Sequence, residues 1–246
     1  MFFLWIFLAG ALLFGLSFFF LKSDFFRIKE ISFKGNKLTN DQEITAAIIG
    51  TLASESGFWD RLLGTDNIFF WHQPAAAGIS ARLPLLADLQ VTTDWYSKKI
   101  IVEVKEREAA GVWCFGDSEC FLFDRDGFLF SPAPAVSGYL ILKVFDENPD
   151  PAFLGYQVLS EGDWRLDFFG VLEVLKNSGL GIDSVILKPA ADQEWTVRLA
   201  SGPVLKLSRI VPMAGSLASL AEKITALPLD KIEYIDLTVP NRLYYQ

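Results

Sequence analysis

The side chains that could support catalysis are few and scattered along the chain. His72 is the only histidine among the 246 residues. No serine, cysteine or carboxylate forms a recognisable catalytic motif around it. A lone histidine beside aromatic residues is more often structural than catalytic. The sequence therefore predicts that the protein is not an enzyme.

Two further motifs superficially suggest ligand binding. Asp124 and Asp126 look like a fragment of a calcium loop but lack the downstream glutamate, so we interpret them as a hairpin turn. The glycines of Ser178-Gly179-Leu180-Gly181 follow a predicted helix instead of opening one, which indicates a helix cap and not a phosphate loop. We expect no metal and no cofactor.

Cys114 and Cys120 flank Gly116-Asp117-Ser118, which is typical of a hairpin turn. Opposite Cβ atoms in a hairpin lie about 4.5 to 5.5 Å apart, whereas a disulfide prefers about 3.8 Å, so a bond needs some extra twist. Two cysteines alone do not complete a four-ligand zinc site. An oxidising compartment would favour a disulfide between them. The sequence leaves this disulfide and two free thiols as equal alternatives.

Composition excludes one broad class of partner. The chain is 51% hydrophobic and 21% charged, with a net charge of -8 and a pI near 4.8. An acidic protein repels phosphate backbones and has no excess of lysine and arginine to release counterions. Nucleic-acid binding is therefore not expected. The length is sufficient for one large domain or two small ones.

The first segment, from Phe2 to Leu21, contains no charged residue and no proline. Twenty helical residues span roughly 30 Å, the thickness of a bilayer core. We therefore predict an N-terminal transmembrane helix, with residues 1–24 as the anchor. A cleaved signal peptide is the competing interpretation, but bulky residues stand where a cleavage site needs small ones. A buried soluble helix is the third.

The charges around this segment conflict with an extracytoplasmic body. Lys22, Arg27 and Lys29 follow the segment and nothing basic precedes it, so the positive-inside rule places the body in the cytoplasm. Large domains, however, translocate with little regard to charge, and the start of the chain looks as if a basic stub were missing upstream. Composition leaves the orientation open.

Residues 25–107 predict a small α+β domain in the order strand, helix, helix, strand, strand. Thr39 and Gln42 fit a capping box at the start of the first helix. A hairpin follows the helices, because apolar and charged residues alternate over Lys99 to Arg107. The predicted sheet is covered on one face by the two helices.

Residues 108–246 predict a larger mixed β domain with flanking helices. Short aromatic strands alternate with tight turns from Gly111 onward. Asp163 to Ser178 predicts a helix that ends at Gly179, and Ser216 is expected to cap a second helix that Pro228 stops. The boundary near residue 107 is expected to be rigid, because the strand that ends there runs directly into the next hairpin.

Several segments form a recognisable series along nearly the whole chain: Phe26 to Asn36, Asn67-Ile68-Phe69, Ile100 to Arg107 with Ala109, Ala110 and Trp113, Asp124 to Phe130, Ile235-Asp236-Leu237, and Asn241 to Tyr244. In this order and spacing they resemble the FtsQ/DivIB family of bacterial cell-division proteins, although each motif is weak alone. Three departures stand out: Thr238 replaces the arginine usual in the family, the family's short cytoplasmic stub is absent, and the cysteine hairpin is not a general family feature.

The resemblance implies a single-pass protein of the cytoplasmic (inner) membrane, with a POTRA-like domain at 25–107 and a β domain at 108–246, both extracytoplasmic. It further implies a scaffold role at the division septum. The implied partners are FtsB/FtsL-type coiled-coil division proteins, which would add a strand to the edge of the C-terminal sheet.

The expected docking edge contains Thr238, Val239, Leu243 and Tyr245. Pro240 cannot donate to a strand ladder, which favours an edge or bend for this region. An equal alternative is that Leu243 and Tyr245 simply fill the core.

The competing function is a POTRA-bearing export or outer-membrane assembly factor. That class normally has several POTRA units or a long barrel, and neither fits in 246 residues. A membrane-tethered hydrolase is the third possible function. It would need a nucleophile, a base and an orienting group that converge on one site, and the sequence shows no such set.

Overall fold

A computed structural model describes residues 2–55, 57, 62–116, 119–133, 141–148, 153–160, 162–189, 192–239 and 242–246, without the side chains of residues 2 and 4. The chain divides into two compact units, Met1–Arg107 and Glu108–Gln246. The fold is α+β, with a three-stranded sheet in the first unit and a nine-stranded mixed sheet in the second.

The N-terminal segment forms helix α1, Phe2–Leu21. The prediction that it is a transmembrane helix is corrected here. Among the residues that the structure describes, no helix combines the length and the apolarity needed to cross a membrane.

Within its described residues, the first unit contains one mixed sheet and, besides α1, the helices α2 and α3. In the sheet order β1-β3-β2, β3 lies in the middle, parallel to β1 and antiparallel to β2. Three-residue 3-10 turns occupy Asp24–Phe26 and Ile68–Phe70. The bounds are β1 Glu30–Lys34, α2 Asp41–Glu55, α3 Ala76–Arg82, β2 Leu86–Asp94 and β3 Lys99–Glu106.

The core of the first unit follows directly from the two sequence periods. Ile100, Val102 and Val104 alternate with polar residues along β3, and all three are buried. Helix α2 buries Ile44, Ala47, Ile48 and Leu52, which share one helical face. These side chains belong to a single hydrophobic cluster, so the sheet and α2 stabilise each other by removing apolar surface from water.

The start of α2 differs from the predicted capping box. Asn40, and not Thr39, is the cap, because its Oδ1 accepts a hydrogen bond from the Glu43 N–H at 2.8 Å. Glu106, at the end of β3, instead accepts hydrogen bonds from the backbone N–H groups of Lys37, Leu38 and Thr39 at 2.8 to 3.1 Å. A residue 67 positions away in sequence therefore orders the loop before the helix.

The second unit contains nine strands in the order β12-β11-β10-β9-β8-β7-β4-β5-β6. The pairs β4–β7, β7–β8 and β10–β11 are parallel, and the other pairs are antiparallel. The strands are β4 Gly111–Phe115, β5 Glu119–Phe123, β6 Leu129–Pro132, β7 Leu142–Asp146, β8 Ile182–Leu187, β9 Glu194–Leu199, β10 Val204–Ser208, β11 Tyr234–Asp236 and β12 Tyr244–Tyr245.

Two helices connect parallel neighbours in this sheet. Helix α4, Gly162–Asn177, lies in the chain between β7 and β8, and helix α5, Ala214–Thr225, lies between β10 and β11. Parallel strands need such a crossover, because a tight hairpin can join only antiparallel strands. The short 3-10 segment Leu229–Lys231 leads from α5 into β11.

The core of the second unit lies between the sheet and these helices. Trp113, Val144, Val185, Val197 and Leu205 form a row across five neighbouring strands and are fully buried. Phe168 of α4 and Leu217 of α5 belong to the same cluster. The central strands of the sheet are therefore held by the core. Only the two edge strands, β12 and β6, are placed to pair with a further strand.

Candidate functional site

One edge of the nine-stranded sheet ends at β12. This strand pairs antiparallel with β11, with Ile235 opposite Tyr245 and Asp236 opposite Tyr244. Beyond the strand, the Gln246 N–H donates to the Tyr234 carbonyl at 3.3 Å, and the Gln246 carbonyl accepts from the Glu233 N–H at 2.8 Å. The main chain of Gln246 therefore faces β11.

The main-chain groups of Tyr245 face the opposite way. Along an antiparallel strand, the N–H and C=O groups of successive residues alternate between the paired neighbour and the outer side. Because Gln246 faces β11, the N–H and C=O of Tyr245 are directed outward from the sheet. An edge with outward-facing donors and acceptors is a template for another extended chain.

The other edge, at β6, is covered by the protein's own backbone. The Leu129 N–H donates to the Tyr156 carbonyl at 2.9 Å, and the Gly155 N–H donates to the Leu129 carbonyl at 2.8 Å. Phe128 also forms an isolated bridge with Gln157. Pro132 ends the strand and has no N–H to donate. The β12 edge is thus the better candidate for pairing with a partner.

The structure separates the four predicted docking residues into different roles. Tyr245 lies on the edge strand and is 57% exposed, and Val239 is 42% exposed. Leu243 is half-buried and packs against the hydrophobic core. Thr238 closes a turn, because its N–H and Oγ1 both donate to Asp236 Oδ1 at 2.8 and 2.7 Å. Pro240 and Asn241 lie outside the described residues.

Two edge residues were missing from the predicted set. Tyr244 is 49% exposed beside Tyr245, and its phenolic oxygen accepts from Arg242 Nη1 at 3.2 Å. Gln246 ties the chain terminus to the sheet with its backbone and accepts from the Tyr234 hydroxyl with its Oε1 at 3.1 Å. The sequence shows Tyr244 and Tyr245 as two adjacent β-forming aromatic residues. Which of them directs its main-chain N–H and C=O outward from the sheet depends on the register.

The polar side of the edge carries ordered side chains as well. Lys206 Nζ lies 4.0 Å from the centre of the Tyr234 ring, a cation–π contact on the face that Asp236 and Tyr244 share. A partner strand would therefore meet aromatic rings on both faces of β12. Aromatic rings pair well with aromatic or β-branched side chains of a neighbouring strand.

Cys114 and Cys120 form a disulfide between directly paired positions of β4 and β5, with Cα atoms 4.0 Å apart. Residues 117 and 118 of the connecting turn lie outside the described residues. Cys114 is buried and Cys120 is half-buried, so the disulfide is partly shielded from solvent. The bond closes the hairpin that leads to the β6 edge.

The other chemistry-bearing candidates belong to different elements of the two units. His72 is exposed in the first unit, after the 3-10 segment. Asp124 and Asp126 belong to the turn between β5 and β6, where Asp124 Oδ1 accepts from the N–H groups of Asp126 and Phe128. Gly179 follows α4 with φ +74°, which confirms the helix-cap interpretation. Within the described part of the chain, no group of three potential metal ligands occurs.

These features define a class: an α+β protein with two units, of which the second has an open sheet edge at β12. Comparison with protein-family models gave no match, and a search of curated proteins gave no match either.

Proposed function

We propose that this protein is a non-enzymatic scaffold of the bacterial septal division complex. It binds FtsB/FtsL-type coiled-coil division proteins by adding one of their strands to β12. The observation that supports this proposal most directly is the outward-facing main chain of Tyr245 at an edge that no described segment covers. The motif order shared with the FtsQ/DivIB family supplies the identity of the partners.

Strand addition suits the chemistry of this edge. Main-chain hydrogen bonds supply affinity without regard to sequence, and alternate side chains supply specificity. The β12 strand has only two residues, so its own edge is short. A partner would therefore gain few backbone bonds and would depend on the rings of Tyr244 and Tyr245 for the remaining affinity.

An extracytoplasmic location at the division septum belongs to the same proposal. Disulfides persist in oxidising compartments and are rare in the cytosol. The pairing of Cys114 with Cys120 supports a location outside the cytoplasm.

The sharpest test changes the main chain at position 245. Tyr245→Pro removes the outward N–H while leaving the Gln246 bonds to β11 in place, and Tyr245→Ser removes the ring but keeps the N–H. We expect the proline variant to bind the FtsB-type partner of the same organism at least about tenfold more weakly, because a lost main-chain bond leaves an unpaired group on the partner. The serine variant should lose roughly threefold, from the lost aromatic contact alone. Affinity is measured by titration with the purified partner segment.

Both variants must first retain the circular dichroism spectrum and melting temperature of the parent chain. Equal affinities of the proline and serine variants would contradict strand addition at Tyr245, because only the proline variant lacks the donor. Parent-like affinity in both would exclude β12 as the docking edge altogether. Mid-cell fluorescence of a fusion protein in dividing cells tests the septal location separately.

A further inference from the structure

The first unit carries a continuous aromatic surface, which we name the aromatic ladder. Four ring contacts connect it: Phe20 with Phe26 at 5.3 Å, Phe25 with Phe26 at 5.0 Å, Phe26 with Phe69 at 5.0 Å, and Phe69 with Trp95 at 5.1 Å. Except for Phe26, every ring in it is more than one-third exposed. Single exposed apolar residues are ordinary, whereas a contiguous patch indicates an interaction surface.

The ladder ends at a turn that presents two large aromatic residues. Trp95 and Tyr96 lie between β2 and β3, with exposures of 54% and 100%. Asp94 fixes this turn, because its carboxylate accepts from the N–H groups of Tyr96 and Ser97 and from the Ser97 hydroxyl at 2.6 to 3.2 Å. A rigid turn loses little conformational entropy when its side chains become buried in a partner.

The ladder is fixed to the body of the unit and not only to α1. Buried Asn67 donates from Nδ2 to the Leu21 carbonyl at 2.6 Å and accepts from the Phe69 N–H with Oδ1 at 3.0 Å. One side chain thus holds the end of α1 and the middle of the ladder together. The exposed rings share one fixed surface.

Charges around the ladder are balanced, unlike the chain as a whole. Lys98 Nζ lies 4.8 Å from the Phe25 ring and Lys22 Nζ lies 5.6 Å from the Phe18 ring. Arg27 stands 3.6 Å from both Asp24 and Asp66. With Asp94, these named groups comprise three cations and three carboxylates, whereas the whole chain has a net charge of -8. Aromatic rings flanked by paired charges of both signs match the zwitterionic headgroups at a lipid surface.

We propose that the aromatic ladder docks onto a zwitterionic lipid surface, with Trp95 and Tyr96 in the headgroup layer. Trp and Tyr favour this layer because their rings are apolar and their N–H and O–H groups still reach water. Docking of this kind buries a surface in the interface and requires no segment to cross the bilayer. The inference concerns the first unit and is independent of the β12 edge.

A fluorescent label tests the proposal in the full-length chain. Because the two native cysteines form a disulfide, a nitrobenzoxadiazole label attaches only to an introduced thiol. We compare Tyr96→Cys with a control, Leu38→Cys. Leu38 is 77% exposed and lies near Glu106, at the far end of β3. The eight residues of β3 separate the two ends by roughly 25 Å.

With phosphatidylcholine vesicles, we expect a blue shift and strong quenching by brominated lipid at position 96, and neither at position 38. Trp95→Ser combined with Tyr96→Ser should weaken vesicle flotation roughly tenfold, whereas Leu38→Ser should not. Equal responses at positions 96 and 38, or unchanged flotation of the double variant, would overturn the proposal. A requirement for anionic lipid in vesicle binding would also overturn the proposal. Disulfide crosslinks between two unlabelled Tyr96→Cys chains, in place of a lipid response, would overturn it as well and would indicate a second copy.

Discussion

Glu106 illustrates how a single carboxylate can organise a loop in this protein. Burial of the side chain raises its pKa, but the N–H groups of Thr39, Leu38 and Lys37 together outweigh that effect and hold the pKa below its ordinary value. The ionised form is thus the one that the fold stabilises. Without it, three backbone donors before α2 would lose their shared acceptor.

We expect Glu106→Gln to lower the free energy of unfolding of the first unit by about 1–2 kcal/mol at pH 7. This estimate is towards the low end for charge-assisted hydrogen bonds, because the carboxylate is only partly buried. Glu103→Gln on the same strand is the matched control, since Glu103 only pairs with Lys34 at the surface. Urea denaturation monitored by hydrogen exchange gives both values. Equal losses in the two variants would show that the loop does not depend on Glu106.

The same residue predicts a direction for the effect of pH. A carboxyl group whose pKa is lower in the folded state stabilises the fold above its unfolded pKa, and that stabilisation disappears as pH falls through the folded value. The difference between the parent chain and Glu106→Gln should therefore be full at pH 6–7 and should shrink below about pH 4.5. Unfolding measured from pH 7 to pH 3 tests this. A difference that persists at pH 3 would contradict the assignment.

At the scale of elements, α5 depends on a residue from another helix. Asp167 of α4 accepts from the N–H groups of Met213 and Ala214 through one oxygen, Oδ1, at 2.7 and 2.8 Å. Asp167 therefore caps α5 from outside, and a carboxylate at a helix N-terminus is also favoured by the helix dipole. The residue at the N-cap position of α5, Met213, provides no side-chain cap of its own.

Removing this cap should destabilise the second unit. We expect Asp167→Ala to lower its free energy of unfolding by about 1–2 kcal/mol and Asp167→Asn to lower it by less than half as much, because the amide oxygen still accepts hydrogen bonds. Hydrogen exchange of amides in the first turn of α5 provides the local measurement. Identical effects of the two substitutions would exclude the capping role.

Sequence patterns predicted the elements better than their connections. Local sequence marks β4, β8 and β9 clearly, because each is a short run rich in β-forming residues between turn signals. The cap of α5 was predicted at Ser216, three residues after the observed N-cap position Met213, because the capping carboxylate belongs to α4 and leaves no signal nearby. The parallel pairing of β4 with β7 and of β10 with β11 depends on long-range packing, which local periodicity does not record.

The candidate site shows the same limit. An edge position near Pro240 could be argued from proline chemistry, and Tyr245 does lie on the edge strand. The orientation of each side chain could not be predicted, because a shift of one residue in register would exchange Tyr244 with Tyr245. Leu243 packs against the core and Val239 is exposed, although both are aliphatic residues in the same segment.

At the scale of the whole molecule, each unit has its own hydrophobic core. The cluster around Ile48 contains residues of the first unit only, and the cluster around Leu205 contains residues of the second unit only. Each core buries enough large side chains to support a cooperative fold. Proposed strand addition uses the second unit and proposed lipid docking uses the first, so the two activities rest on separate cores.

This separation can be tested with one cavity in each core. Ile48→Ala and Leu205→Ala each truncate a fully buried side chain, which costs about 2–5 kcal/mol. We expect Ile48→Ala to accelerate amide exchange in α2 and β3 while β8 and β9 keep their protection, and Leu205→Ala to do the reverse. In functional assays, Ile48→Ala should weaken vesicle flotation more than it weakens partner binding. Loss of protection in both units from either substitution would show that they unfold as one body, and the assignment of one activity to each core would then fail.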